Sequence, residues 1–529
     1  MQFGKLTGPL PAGRRAGSAT VEAAGARPGA SSLALAALCT LLFLTFLDNT
    51  VVSVALGAIQ TDLHAGVTDL QWVVGAYALT FASIMLACGM IGDELGRKAV
   101  MLTGAGVFCA GSVLCALAPN PQVLIAGRAV MGLGAAASEP GTLSVLRHIY
   151  VGERARARAV GVWAAVSGMA LALGPVIGGA IIGVWSWRGI FWFNLAFGLA
   201  ALVIATVVVP ESADPTAARV DAAGTLLGAG ALATFVFAII DAEAAGFAAP
   251  VVIALLCAAA ALAAAFCLWE RRAPNPLLDL RYFRTPQFTV PNIAAFCVYF
   301  ATFAIFFFTA LYLVEVVGDS GYTIALVFLP MTVLMILASL LTGNWTGAVG
   351  PRWPITTGCL LFGAGLLITN AIISPHPPYA GLALSLALAG IGIGITVTPV
   401  TSAALGAVPP QRSGMAASSV NTSREMGAVT GVAILGALVS SRLNADLGGE
   451  LQRLGVPLFY KSVIIQAIET GQTQVPAAYA AYKKIIDELF GAADGAFGSG
   501  LHAALYLAAG LVLLAGALAA ATLRDEPDR

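Results

Sequence analysis

The chain has 529 residues, of which 59% are hydrophobic and 10% are charged, whereas soluble domains are about 45–50% apolar and about 25% charged. This composition excludes a string of soluble domains, and it excludes intrinsic disorder, which requires few apolar residues and many charges. The 27 basic and 27 acidic residues balance, so no overall field favours nucleic acid as a partner. The sequence therefore predicts an all-α polytopic membrane protein.

Fourteen apolar stretches are each long enough to cross a bilayer core about 30 Å thick, for which roughly 20 residues are needed. Because hydrocarbon offers the backbone no water, we expect each stretch to be a helix. In chain order they lie near residues 33–57, 70–91, 99–118, 122–146, 158–183, 189–209, 221–240, 250–269, 288–313, 322–346, 353–373, 379–402, 414–439 and 500–522.

The basic residues predict the orientation of these helices independently. If the N-terminus is cytoplasmic, 19 of the 27 Lys and Arg residues fall on inner segments, and Arg188 is the one basic residue on a short outer loop. Lys and Arg concentrate in cytoplasmic loops. We therefore expect fourteen transmembrane helices with both termini cytoplasmic.

A local repeat predicts how the helices are grouped. The spacing from Gly89 to Gly96, before helix 3, recurs from Gly343 to Gly350, before helix 11. This repeat indicates two six-helix halves with two inserted helices between them. We expect cytoplasmic tails at residues 1–32 and 523–529. Between them lie a first half (33–209), an insert with a cytoplasmic linker (210–287), and a second half (288–522) that contains a long extracellular loop (440–499).

Several motifs resemble those of the major facilitator superfamily. Residues 89–98 (GMIGDELGRK) are similar to its signature between helices 2 and 3, and Gly168 with residues 174–179 (GPVIGG) is similar to the helix 5 motif of its antiporters. Within the superfamily, four segments resemble the drug:proton antiporter-2 family, which comprises 14-helix exporters. They are residues 47–56 (LDNTVVSVAL), 187–194 (WRGIFWFN), 270–280 and 421–427 (NTSREMG).

This resemblance implies the major facilitator fold and a secondary active transporter rather than an enzyme. It implies export of small amphipathic molecules, such as drugs, antibiotics or related metabolites, across a bacterial cytoplasmic membrane. The proton gradient would drive export by alternating access, without a cofactor or metal. We expect a monomer surrounded by lipid, with protons and a small substrate as partners and no nucleic acid. The alternatives are an uptake symporter or facilitator on the same fold, or a membrane-embedded enzyme or sensor.

Ionisable side chains inside membrane spans are costly and are functional candidates. At about 1.5 Å per residue, Asp48 in helix 1 and Arg128 in helix 4 lie at comparable depth in the outer half of the membrane, where an ion pair is expected. Glu139 lies three turns after Arg128 on the same face, and Arg424 and Glu425 lie near mid-depth in helix 13. We expect these five residues to form a proton path; alternatively, they only hold helices together. Glu139 and Glu425 depart from the family, which more often has uncharged residues there.

Three further groups of residues are candidate sites. The first is a conformational latch between helices 2 and 3, whose alternative is a solvated turn. The second is the helix 5 motif, either a tight seal between the halves or ordinary close packing. The third is an aromatic face of helix 9, either a substrate cavity or, the interpretation we favour, lipid-facing side chains. The latch residues are Gly89, Asp93, Gly96, Arg97 and Lys98. The residues of the helix 5 motif are Gly168, Gly174, Pro175, Gly178 and Gly179. The aromatic residues of helix 9 are Tyr299, Phe303 and Phe307.

Overall fold

The computed structural model describes residues 28–65, 67–150, 152–211, 221–317, 321–374, 376–453 and 483–524. Within these segments the chain forms fourteen α-helices and no strand. The helices are α1 (Pro28–Leu63), α2 (Val67–Leu95), α3 (Arg97–Ala116), α4 (Pro121–Ile149), α5 (Glu153–Val184), α6 (Arg188–Val208), α7 (Ala222–Ala245), α8 (Pro250–Glu270), α9 (Pro286–Glu315), α10 (Gly321–Val349), α11 (Arg352–Ile372), α12 (Tyr379–Gly406), α13 (Ser413–Arg453) and α14 (Lys483–Thr522).

Each apolar stretch found in the sequence coincides with one of these helices. Ten helices are long and apolar enough to cross a membrane, judged by length and composition over the described ranges: α1–α3, α6–α8, α10–α12 and α14. The prediction of an all-α polytopic protein is thus confirmed in its general form.

The two helices that flank the predicted long outer loop are longer than expected. Residues 440–453 and 483–499, which we placed in that loop, are helical, and residues 454–482 lie outside the described part of the chain. Hydropathy finds only the part of a helix that lies in hydrocarbon. A polar extension beyond it therefore escapes a search for apolar runs.

The helices pack mainly within two groups, α1–α6 and α9–α14. The two groups meet where α2 lies against α13 and where α5 lies against α10. The remaining pair, α7 and α8, pack on each other, and α7 also lies against α2 and α13. We call the α2–α13 and α5–α10 contacts the two seams between the groups. The inserted helices therefore pack against the α2–α13 seam.

The glycine repeat has a structural counterpart in the backbone. Gly96 directly precedes α3 and has φ +108°, and Gly350 lies just before α11 with φ +80°. A residue with a side chain rarely adopts such angles. Both copies thus use glycine for the same sharp turn between consecutive helices.

Close approach of α3 and α4 depends on glycines that face each other. A Cβ added at Gly104 would lie 2.6 Å from the carbonyl oxygen of Gly134 and 2.7 Å from the backbone nitrogen of Ser138, whereas one added at Gly106 would meet no atom within 4 Å. Small residues of this kind let helix backbones touch in a membrane, where lipid removes the hydrophobic drive for helix association.

This pair of glycines yields a matched test of the packing. We expect Gly104→Ala to lower the melting temperature of the purified protein, because overpacking costs about 1–3 kcal/mol. Gly106→Ala should leave it unchanged or slightly higher, because alanine is favoured over glycine in a helix by about 1 kcal/mol. Tryptophan fluorescence during thermal unfolding in detergent measures both. Equal melting temperatures would contradict the assigned α3–α4 contact.

Candidate functional site

Asp48 on α1 is the centre of a buried polar cluster in the first group of helices. Its side chain has no solvent exposure and forms an ion pair with Arg128 of α4. It also accepts a hydrogen bond of 2.7 Å from Nδ2 of Asn194 on α6. The structure thus brings together the two residues that the depth argument placed at one level, and it adds an amide donor from a third helix.

Arg128 is neutralised and held by more than its carboxylate partner. Its Nε donates to the carbonyl oxygen of Val73 on α2 at 3.0 Å, and its guanidinium lies 4.5 Å from the centre of the Tyr77 ring. Tyr77 in turn donates to the carbonyl oxygen of Thr45 at 3.3 Å. A buried ion pair is tolerated when further hydrogen bonds satisfy the remaining donors and lone pairs, and this cluster provides them.

Asn194 is a site residue that the sequence reasoning missed. It is fully buried, and its Oδ1 has no hydrogen-bond partner within the described residues. The available signal was a polar amide inside the otherwise apolar helix 6. Buried amides need hydrogen-bond partners, so this residue should have been paired with a polar residue of a neighbouring helix.

A second buried cluster surrounds Arg424 of α13 and spans both groups of helices. Its guanidinium donates to Oδ1 of Asn421 at 3.0 Å and to the hydroxyl of Thr401 on α12. It also lies 5.3 Å from the centre of the Trp163 ring of α5 and 5.4 Å from that of Tyr299 of α9. Cation–π contacts of this kind are strongest when the cation is desolvated, and Arg424 is 2% exposed.

Glu139 of α4 faces this second cluster but is bonded differently from Asp48. It is 2% exposed, and its Oε2 has no hydrogen-bond partner in the described part of the chain. It lies within electrostatic range of Glu425 and Arg424. A buried carboxyl oxygen without a donor is costly, and in this respect Glu139 differs from Asp48, which has two donors.

The space between these side chains is small. It is bounded by Tyr299, Arg424, Thr396 and small apolar residues of α9 and α12, which pack closely enough to leave no room for a drug-sized ligand. The described structure is therefore closed around this point.

The aromatic face of α9 is oriented differently from the interpretation we favoured. Tyr299 is buried, at 6% exposure, so its ring does not face lipid. Two further aromatic residues of α9, Phe300 and Tyr312, are also buried, at 2% and 3% exposure. They lie inside because α9 packs on α13, α14 and α12. The side chains of Phe303 and Phe307 lie outside the described residues, and their predicted place at a cavity stays a prediction.

The segment between α2 and α3 joins the two groups of helices. Nε of Arg97 contacts Oδ1 of Asp93 at 2.9 Å, with both side chains buried. The same oxygen accepts a hydrogen bond of 3.2 Å from the backbone nitrogen of Gly414, in the first turn of α13. A Cβ at Gly89 would lie 2.6 Å from the carbonyl oxygen of Gly414. A solvated turn is therefore the wrong description of Asp93 and Arg97.

The contact of Lys98 and the turn at Gly96, in the same segment, lie within the first group of helices. Nζ of Lys98 donates to the carbonyl oxygen of Thr206 on α6 at 2.7 Å, and Gly96 supplies the turn described above. Of the five predicted latch residues, Gly89 and Asp93 touch α13, and Arg97 holds Asp93 in place.

The second copy of the repeat makes a corresponding contact without an acid. Arg158 on α5 hydrogen-bonds with Asn344 of α10, and Nε of Arg154 donates to the carbonyl oxygen of Gly347 at 3.3 Å. Gly347 stands where the first copy has Asp93, so a backbone carbonyl replaces the carboxylate. These contacts lie at the same end of the helices as those of Asp93, because successive helices alternate in direction.

Only Gly168 of the helix 5 motif is seen at the contact between the halves, where we predicted a seal, among the motif residues whose contacts are described. Cβ atoms at Gly174 and Gly178 would run into Thr50 and Val51 of α1, in the same group of helices, and one at Gly179 would meet no atom within 4 Å. The contact with the other group comes earlier in α5, where Gly168 faces Met335 of α10. The small residues of the motif were identified correctly, but the sequence did not show which helix they face. The side chain of Pro175 lies outside the described residues.

Comparison with known proteins agrees with this architecture. Residues 38–432 match the family described as the Major Facilitator Superfamily. The multidrug resistance protein Stp of Mycobacterium tuberculosis is 34% identical over 413 residues, which are 78% of this chain and 76% of that protein. The methylenomycin A resistance protein of Streptomyces coelicolor is 34% identical over 84% of this chain and 93% of its own length.

Solved structures agree on the fold. The human organic anion transporter MFSD10 superposes with a TM-score of 0.59 at 15% identity, over 93% of this chain and 98% of that one. On the family match and the two bacterial relatives, the chain belongs to the Major Facilitator Superfamily and is a multi-pass transporter of a bacterial cytoplasmic membrane, not an enzyme.

Proposed function

We propose that the protein exports small amphipathic molecules from the cytoplasm in exchange for protons, by alternating access. The bacterial relatives are named for resistance to several drugs or to one antibiotic, and export is the simplest way for a transporter to confer resistance. The substrate class assigned here is therefore drugs, antibiotics or related metabolites.

The observation that carries proton coupling is the contrast between two buried acids. Asp48 has an arginine and an amide as donors, while Glu139 has an oxygen without any donor in the described structure. The two acids therefore differ in the number of hydrogen-bond donors that face them. A carrier that moves protons needs acids whose surroundings differ in this way and change as the helices move.

The five charged residues are then assigned two roles. Asp48 and Arg128 form the outer proton site, because a proton on Asp48 would break the ion pair and free Arg128. Glu139, Arg424 and Glu425 form the inner site, where the two groups of helices meet. Tyr299 belongs to the substrate path, since it bounds the small space beside Arg424.

We infer the orientation from the distribution of the basic residues. With fourteen spans and both termini in the cytoplasm, the Asp93–Gly414 and Arg158–Asn344 contacts lie on the cytoplasmic side. The structure then corresponds to a state closed toward the cytoplasm, from which substrate leaves and protons enter. One proton moving through 100 mV releases about 2.3 kcal/mol, enough for roughly fiftyfold accumulation, since about 1.4 kcal/mol corresponds to tenfold.

The first test of this function combines a resistance profile with a proton assay. We expect expression in a pump-deficient bacterial host to raise the tolerated concentration of some compounds in a panel of amphipathic antibiotics and dyes. In everted vesicles, adding such a compound should release protons from the acidified lumen, because each step that carries the compound into the lumen is driven by protons moving out of it. Substrate movement in the opposite direction would contradict export.

Asp48→Asn should abolish this proton movement and the resistance, because an asparagine cannot exchange a proton or neutralise Arg128. The matched control is Asp62→Asn, which removes an ion pair with Arg188 near the ends of α1 and α6, away from both clusters. It should retain both activities. Normal coupling in Asp48→Asn would remove Asp48 from the proton path.

Glu139→Gln tests the inner site separately, because glutamine keeps the size of the side chain but cannot bind and release a proton. We expect this variant to exchange labelled substrate across the membrane at equal concentrations but to lose accumulation driven by a pH gradient. Both are measured in proteoliposomes with one fluorescent substrate from the panel. Accumulation at the wild-type level would show that Glu139 takes no part in coupling.

A further inference from the structure

The linker between α8 and α9, residues 271–285, is bound at both sides of the seam between α2 and α13. We infer that this linker is a second clamp on the cytoplasmic gate, with Asp279 as its positioning residue for α13 and Leu277 as its anchor on α2. The inference rests on the alternating access proposed above, because a clamp matters only if the gate opens.

The α13 side of the clamp is polar. Oδ2 of Asp279 accepts a hydrogen bond of 3.2 Å from Arg412, the residue just before α13. The backbone nitrogen of Asp279 lies 3.5 Å from the sulfur of Met415. Gly414, which bonds to Asp93, lies between those two contacts in the chain. Asp279 therefore contacts the beginning of α13, at the same turn that binds Asp93 of the latch.

The α2 side of the clamp is apolar. Leu277 is 1% exposed and packs with Leu86 of α2 and Phe266 of α8, with Met90 at the edge of the cluster. Leu86 and Met90 lie on either side of Gly89 in the sequence of α2, and Gly89 is the residue of α2 that lies against Gly414 of α13. Two residues apart in the linker, Leu277 and Asp279 thus contact the two helices that meet at the latch.

The linker is itself held in a fixed shape. Oε2 of Glu270, at the end of α8, accepts a hydrogen bond of 3.1 Å from the backbone nitrogen of Leu278. Arg281 forms a two-pronged contact with the Asp279 carboxylate, with bonds of 2.9 and 2.8 Å. The hydrogen bond from Arg281 lowers the pKa of Asp279, so the carboxylate stays charged at neutral pH.

Breaking the Asp279–Arg412 contact should favour the open gate. Pulsed electron spin resonance on the full chain in nanodiscs measures this, with spin labels at Ala99 on α3 and Trp353 on α11, which lie at the gate end of the two groups. The exposed Cys257 and Cys267 are replaced by serine in every sample. We expect Asp279→Asn to raise the ratio of long to short distances by about fivefold, as for loss of a partly buried ion pair.

Arg412→Gln should produce a shift in the same direction, and the double variant should shift no further than Asp279→Asn alone, because both changes remove the Asp279–Arg412 contact. Asp62→Asn again serves as the control, since its ion pair lies within one group of helices; it should leave the distances as in wild type. Size-exclusion profiles and melting temperatures establish that each variant is folded, and if Asp279→Asn fails that check, Arg412→Gln carries the test.

The outcomes separate the clamp from the proposed function. If wild type changes its distances between pH 5.5 and 8 while both single variants match it, the clamp is refuted and alternating access stands. Additive shifts in the double variant would also refute a shared contact. If wild type keeps one distance under all conditions, the moving gate fails, and the clamp fails with it.

Discussion

The ion pair between Asp48 and Arg128 sets the arrangement of the first group of helices. Neither charge can remain alone in hydrocarbon, so α1 and α4 must bring them together, α6 must supply Asn194, and α2 must offer a carbonyl oxygen and the Tyr77 ring. Four helices are thereby fixed around one buried interaction. The apolar surfaces of these helices give no comparable specificity, because lipid and leucine side chains are equally apolar.

The seam between the two groups depends on different physics. There glycines approach backbone atoms closely, and two of the hydrogen bonds use a backbone group, at Gly414 and Gly347. Side chains join the groups as well, since Arg158 hydrogen-bonds with Asn344. On the α2–α13 side, the linker that follows the inserted helices adds the contacts of Leu277 and Asp279.

Much of this could be predicted from the sequence, for identifiable reasons. Apolar runs and bilayer thickness located the fourteen helices of the described residues, and a depth argument paired Asp48 with Arg128. The partners that were missed or misplaced depend on helix rotation, which hydropathy does not report. Asn194 and the α1-facing Gly174 and Gly178 are examples, as are the buried rings of α9. The extensions of α13 and α14 were missed because polar helix outside hydrocarbon has no hydropathy signal.

The length of α13 has a mechanical consequence. Gly414, at the closed end, and Arg424 lie ten residues apart in one uninterrupted helix, a separation of about 15 Å along its axis. A helix of this kind is stiff over three turns, so it acts as a rod with the guanidinium near one point and the contact with Asp93 at another. Any tilt of α13 at Arg424 would therefore also move Gly414, without a chain of intermediate side chains.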